Sequence, residues 1–173
     1  MKVLIIGHAR HGKDTLAEIL NKEFGLTFKS SSMAAAEIFI YTTLKETYGY
    51  TTPDECFEDR VNHRKEWFDL ITEYNSVDKT ALAAEILSYN DMYVGMRDSA
   101  EIEGCNAKGM FDFVVGVFNP SLPLEAPDSF NINLWDSSDF VIPNSGTLEE
   151  FEKKIIKVFL PLLNLKSYEQ QND

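Results

Sequence analysis

The chain has 173 residues, 44% of them hydrophobic and 25% charged, and its 16 Lys plus Arg against 28 Asp plus Glu leave a net charge of −12. That is length enough for one globular domain with its own core, and the composition is too apolar for a disordered chain. No apolar run approaches the ~20 residues that span a bilayer. The acidic balance excludes binding driven mainly by a nucleic-acid backbone, which calls for a broad basic face. Cys56 and Cys105 form no CxxC pair, and with only three histidines neither a disulfide framework nor a zinc cluster is expected. Met1-Lys2 followed by only four aliphatic residues is too short for a signal peptide, so the expectation is a soluble, cytoplasmic protein.

Val3 to Ile6 is an unbroken aliphatic run, the pattern of a strand buried on both faces. A Gly-bounded loop follows, then a helix in which Leu16, Ile19, Leu20 and Phe24 repeat at helical spacing until Gly25 stops it. Leu26 to Phe28 reads as a second strand, and Ser30-Ser31-Ser32 turns into a helix from about Met33 to Tyr48. Thr51 to Asp54, with Pro53, opens another helix. From Glu55 to Tyr74, Phe57, Val61, Phe68 and Ile71 share one stripe at about 100° per residue, with Arg64 inside it and Arg60 on its edge. A further helix follows Asn75-Ser76 and ends near Tyr89-Asn90. Met92 to Met96 is a strand, a short helix starts at Asp98, and Phe111 to Phe118 is a strand. Asn119 to Asp136 holds three of the six prolines and little periodicity, which predicts a long surface loop or lid. Phe140 to Ile142 is a last short strand. Thr147 with Glu150 forms a capping box before a helix whose Leu148, Phe151, Ile155 and Phe159 share a face, and the polar tail after Lys166 is expected to fray.

Strands separated by helices predict an α/β fold, a parallel sheet flanked by helices, with ligands at the carboxyl ends of the strands. A single domain, residues 1–173, would have its core at 1–30 and 90–165, a helical insertion at about 31–89 over that sheet edge, and a tail at 166–173.

Gly7-His8-Ala9-Arg10-His11-Gly12-Lys13-Asp14-Thr15 matches G-x-x-x-x-G-K and then departs from it, with Asp14 where Ser or Thr is usual and Thr15 one place later. Between a strand and a helix, such a loop turns backbone N–H groups toward phosphate oxygens, the helix dipole favours negative charge, and Lys13 adds a mobile cation. Residues Ala9, Arg10, His11, Gly12, Lys13, Asp14 and Thr15 are therefore the expected nucleotide contacts. His8 and His11 are read as spacers that contribute through their N–H groups.

Gly12-Lys13-Asp14-Thr15, with Arg10 two positions before Gly12, resembles the phosphate loop of the bacteriophage deoxynucleoside monophosphate kinases. Phe28 to Tyr48 resembles that family's monophosphate-binding region, Tyr93-Val94-Gly95-Met96-Arg97 its strand ending in Asp-x-Arg, and Asp139 to Glu150 its closing strand, loop and helix. The resemblance implies a P-loop kinase fold with a helical substrate-binding insertion, transfer of the ATP γ-phosphoryl group to a (deoxy)nucleoside monophosphate, dependence on Mg²⁺, and residence in a host cytoplasm. One position departs from the family: Gly95 stands where it has Asp, which removes the usual acidic group for magnesium. Asp14, with Thr15, then becomes the expected metal-side group, and Asp98 a weaker substitute whose other reading is an N-terminal helix residue.

Only four arginines occur, Arg10, Arg60, Arg64 and Arg97, against twelve lysines, and all four fall in segments expected near the strand-end cleft. Guanidinium clamps phosphate with two parallel hydrogen bonds and stabilises a transferring phosphoryl group. Lys13, Arg97, Arg10 and Asp14 are the expected catalytic set, with Ser32, Arg60, Arg64, Trp67 and Arg97 on the acceptor side. Trp67 could stack a base but reads more readily as core, and Cys105 as inert packing. ATP and a nucleoside monophosphate are the expected partners, without nucleic acid or membrane, and the oligomeric state is left open, a homodimer included. Two other readings stay in play: a kinase of another small metabolite such as dephospho-coenzyme A, and a P-loop nucleotide-binding protein without turnover.

Overall fold

The computed structural model describes residues 1–127 and 129–170. The elements in chain order are β1 (Val3–Ile6), α1 (Lys13–Phe24), β2 (Phe28–Ser30), α2 (Ser31–Ala35), a π-helical turn (Ala36–Ile40) running into α3 (Tyr41–Tyr48), α4 (Pro53–Asp59), α5 (Arg64–Tyr74), α6 (Ala81–Tyr89), β3 (Met92–Val94), α7 (Ser99–Ala107), β4 (Phe113–Phe118), α8 (Leu134–Ser137), β5 (Phe140–Pro143) and α9 (Leu148–Gln170). The five strands form one sheet in the order β2-β3-β1-β4-β5, every pair parallel. Their carboxyl ends therefore share one edge, and the turns that leave that edge converge above it. No helix among the described residues is long and apolar enough to cross a membrane.

Alternate residues of a strand face opposite sides of a sheet, and β1 feeds two cores in this way. Val3 and Ile5 join Leu16 and Leu20 of α1 and Phe151, Ile155 and Phe159 of α9. Leu4 and Ile6 join Tyr93, Leu82 and Ile86 of α6, Ile102 of α7, and the apolar side of the insertion. Gly25 ends α1 in the left-handed conformation with its N–H on Asn21 O, and Thr147 and Glu150 exchange the capping-box bonds at the start of α9. All elements between β2 and β3 are helical.

Four expectations are corrected. The second strand is Phe28–Ser30 rather than Leu26 to Phe28, because its register is set by pairing with Met92 to Val94. The stripe from Glu55 to Tyr74 is broken: α4 ends at Asp59 and α5 begins at Arg64. The Asp59 carboxylate gathers Tyr50 Oη, Asn62 Nδ2 and His63 Nε2, which stabilises a turn in place of continued helix and leaves Val61 and Phe68 both 55% exposed. Asn119 to Asp136, expected as a long surface loop or lid, is largely exposed and irregular among its described residues up to Asn133, but it ends in α8 and is anchored by Phe130, Ile132 and Leu134, which are buried in the core under the insertion. Finally, α9 runs through Gln170, and of the tail expected to fray, residues 171–173 lie outside the described residues; Leu148, expected on the buried face of α9, is exposed.

A buried acid under the sheet gives this core a pH signature. Tyr93 Oη donates to Glu101 Oε1 at 3.1 Å, and burial pushes the Glu101 carboxyl up to about 7, against the opposing pull of Tyr93, with Asp98 adding to the rise and Lys79 opposing it. A folded-state value above the unfolded one favours the protonated form in the native protein, so this contribution is complete below about pH 4.5 and is lost as the pH rises through about 7. Glu101→Gln keeps the acceptor for Tyr93 without the charge. It should stabilise the protein at about pH 8 by up to about 3 kcal/mol and change little at about pH 4.5; thermal melts of both proteins across that range check this.

Candidate active site

The turn after β1 is a tight phosphate-type loop. Leu16 N–H donates to Gly12 O at 2.9 Å to start α1, and His11 N–H closes on His8 O at 3.3 Å. Gly12 has φ 106°, and a Cβ there would lie 2.5 Å from Asn144 Nδ2, so only glycine fits. Asn144, just past β5, ties the loop down by donating from Nδ2 to His11 O at 3.0 Å, while its own N–H donates to Phe118 O at 2.8 Å.

Lys13 lies at the start of α1 with 9% of its surface exposed, its Nζ donating to His8 O at 2.8 Å. Burial, then the Arg97 guanidinium, hold its ammonium down to about 8, against the pull of Asp14 and Glu125. A lysine this desolvated is poised for an anion that would restore its ordinary value. Arg97 follows β3 and reaches the same place. Its Nη1 donates to Glu125 Oε1 at 2.6 Å and to Ser129 O at 3.2 Å.

Arg10 stands on the rim of the loop, exposed, with its backbone in the left-handed region at φ 67°. Asp14 is exposed and Thr15 half-buried in the first turn of α1. Asp14, Glu18, Phe28, Lys29, Ser30, Met33, and Asp54, Phe57 and Glu58 of α4 line a cleft of about 460 Å³ between the loop helix and the insertion. Arg60, half-buried at its rim, lies 3.6 Å over the Phe57 ring and donates from Nη1 to Phe57 O. Burial lowers its pKa, as does neighbouring Arg64, while Glu58 and Asp14 act the other way. Arg64 is exposed at the start of α5 rather than inside an apolar stripe, near enough to Arg60 to act on it electrostatically.

Trp67 is placed differently from a base-stacking residue: it is 4% exposed within the core, and its Nε1 has no hydrogen-bond partner among the described residues. Ser32, in the first turn of α2, is half-buried and outside the cleft lining. Cys105 is buried, and burial pushes its thiol up to about 12, in keeping with an inert packing residue. Gly95 explains the missing acidic group. Its φ is 100°, its N–H donates to Ile5 O, and a Cβ would lie 3.3 Å from Ser31 Oγ, so an aspartate there would be strained. Asp98 caps α7, its Oδ1 accepting from Ala100 N–H and from Asn131 Nδ2.

Sequence reasoning missed Glu125 and the ring contacts of the two loop histidines. His8 and His11 act through their rings: Nδ1 of His8 accepts from Glu125 N–H at 3.1 Å, and Nδ1 of His11 accepts from Asn119 N–H at 3.1 Å. The two prolines that bracket Glu125, Pro123 and Pro127, were the only signal of a stiff segment there.

The chain has the fold of the P-loop kinases. Among solved structures it is similar to dephospho-CoA kinase from Campylobacter jejuni (TM-score 0.53, 17% identity, over 92% of this chain and 96% of that one). It is also similar to shikimate kinase from Aquifex aeolicus (0.50, 14%, 97% and 98%) and to a gluconokinase from Sinorhizobium meliloti (0.50, 10%, 97% and 96%). No protein-family model and no curated sequence matches the chain.

Proposed function

We propose that this protein is an ATP-dependent kinase acting on a (deoxy)nucleoside monophosphate, which accepts the γ-phosphoryl group to become the diphosphate. The observation that carries the reading is the placement of the cations: Lys13 and Arg97 meet at the phosphate loop, while Arg60 and Arg64 form a second group on the helical insertion, with Arg60 close enough to Asp14 to feel its charge. One group suits the donor phosphates, the other an acceptor that is itself anionic.

The backbone N–H groups of residues 9 to 15 and Lys13 hold the β- and γ-phosphates, and Arg97 takes up charge on the transferring group as the bond to the acceptor oxygen forms and the bond to the β-phosphate breaks. Catalysis is alignment and charge neutralisation, with no covalent intermediate. The donor set suits Mg²⁺, which binds through one or two hard oxygen ligands plus substrate phosphates: the Asp14 carboxylate is exposed in the first turn of α1, and Thr15, half-buried, follows it in the chain. When bound, the ion neutralises charge shared by the phosphates. A cytoplasmic location and a phage origin are part of the same reading.

A second reading, a kinase whose acceptor is a hydroxyl group of another metabolite, has its own support in the carboxylates of Asp14, Glu18, Asp54 and Glu58 that line the cleft. They would receive hydroxyl donors and take up a proton. Coupled ADP-release assays over a panel of nucleoside monophosphates, dephospho-coenzyme A, shikimate and gluconate separate the two. Turnover should require a monophosphate, and Arg64→Ala should raise the monophosphate KM about tenfold with a smaller change in kcat. Turnover confined to a non-nucleotide acceptor refutes the first reading, and ATP binding without any acceptor-dependent ADP release would mean a P-loop binding protein without turnover.

A further inference from the structure

After β4 the chain turns back over the phosphate loop and is fastened there at four points, with a fifth on Arg97. Asn119 N–H donates to His11 Nδ1 at 3.1 Å, His11 Nε2 meets Pro123 O at 3.3 Å, and Glu125 N–H donates to His8 Nδ1 at 3.1 Å. The Glu125 carboxylate completes the set. One oxygen accepts Ala9 N–H of the loop at 2.6 Å, and the other accepts Arg97 Nη1 at 2.6 Å.

These two donors are of the kinds a phosphate oxygen takes in such a loop, a backbone N–H and a guanidinium. The carboxylate is only 16% exposed. Burial alone would raise its pKa, but the hydrogen bond and charge of Arg97, the Ala9 N–H and Lys13 together hold it below the ordinary range, so it sits there as an anion. An ordinary surface ion pair between Arg97 and Glu125 would have no need of the Ala9 N–H or of the histidine holds on the neighbouring backbone. Both histidines accept through Nδ1, and His11 points Nε2 at a carbonyl, the arrangement of a neutral ring carrying its proton on Nε2. Pro123 and Pro127 restrict the backbone on either side of Glu125.

We propose that Glu125 is a built-in competitor for phosphate: its carboxylate fills the cradle of the unliganded protein, and the phosphate chain of a nucleotide must displace it, releasing the 119–127 segment from Ala9 and Arg97. The inference rests on the phosphate-loop reading and adds to it an autoinhibitory latch. A protein that spends nine-tenths of its time latched has its apparent affinity reduced about tenfold, and the reduction disappears when the latch is removed.

The test is the affinity for Mg·ATP, measured by calorimetry on the wild-type protein, Glu125→Gln and Glu125→Ala, with melting curves to confirm that all three are folded. Glu125→Gln keeps an oxygen for Ala9 and loses the charge, whereas Glu125→Ala loses both. Both should bind Mg·ATP about tenfold more tightly than wild type, Glu125→Ala at least as tightly as Glu125→Gln. Equal or weaker binding by the variants, with wild type binding normally, overturns the latch and leaves the phosphate-loop reading standing. Nucleotide bound by none of the three overturns the phosphate-loop reading, and the latch falls with it.

Discussion

Lys13→Met should lower phosphoryl transfer about a hundredfold or more and at the same time raise the melting temperature of the unliganded protein. The first half follows from the loss of the one cation at the start of α1 that can follow charge into the transition state. The second half follows from its burial. With 9% of the residue exposed and His8 O as its acceptor, the ammonium is held from 10.5 down to about 8, first by burial and then by Arg97. That displacement corresponds to about 3 kcal/mol against the charged form in the folded state. Because the folded value lies below the unfolded one, lysine's contribution to stability is complete above about pH 10.5 and is lost as the pH falls through about 8. Methionine keeps the apolar stem and never pays for the charge. Melting curves at about pH 7 and about pH 10 decide the matter: the advantage of Lys13→Met should be large at the lower pH and shrink at the higher. A variant less stable than wild type at neutral pH would mean that the ammonium is adequately solvated by the loop.

Asp14→Asn should raise the Mg²⁺ concentration needed for half-maximal activity at least about tenfold, because a neutral amide is a poor ligand for a hard cation. Asp98→Asn should leave that requirement alone. Asp98 is occupied in capping α7, a role that asparagine fills about as well. Titrating Mg²⁺ at fixed ATP compares the two variants directly, and equal shifts would move the metal away from the loop.

The phosphate loop was legible because its chemistry is contiguous: nine residues between an aliphatic strand and an amphipathic helix carry the whole signal. The capping of α1, α7 and α9 was legible for the same reason. The break between α4 and α5 was not, since neither Gly nor Pro marks residues 59–64, and the turn depends on Asp59 collecting partners from both sides of it. Arg64 consequently moved from an apolar stripe to an exposed helix start. Glu125 was beyond reach for a related reason. Its carboxylate meets Ala9, 116 positions earlier, and nothing in an aperiodic proline-containing segment announces a partner that distant. The histidine rings share that cause: their partners lie 108 and 117 residues away.

The central place of β1 has a consequence for how the protein is made. Val3 pairs with Met92 on one side and with Phe113 on the other, so the strand made first has no neighbour until 89 residues later and no second neighbour until 110 residues later. During synthesis its aliphatic run must therefore wait unpaired, and the loop that it anchors cannot take its shape before β4 has been made. Pairing over such sequence separations slows folding and lengthens the exposure of apolar surface. Nascent chains released before residue 92 should hold β1 without either neighbour, and those released before residue 119 should lack every tie from the segment after β4 to the loop that β1 anchors.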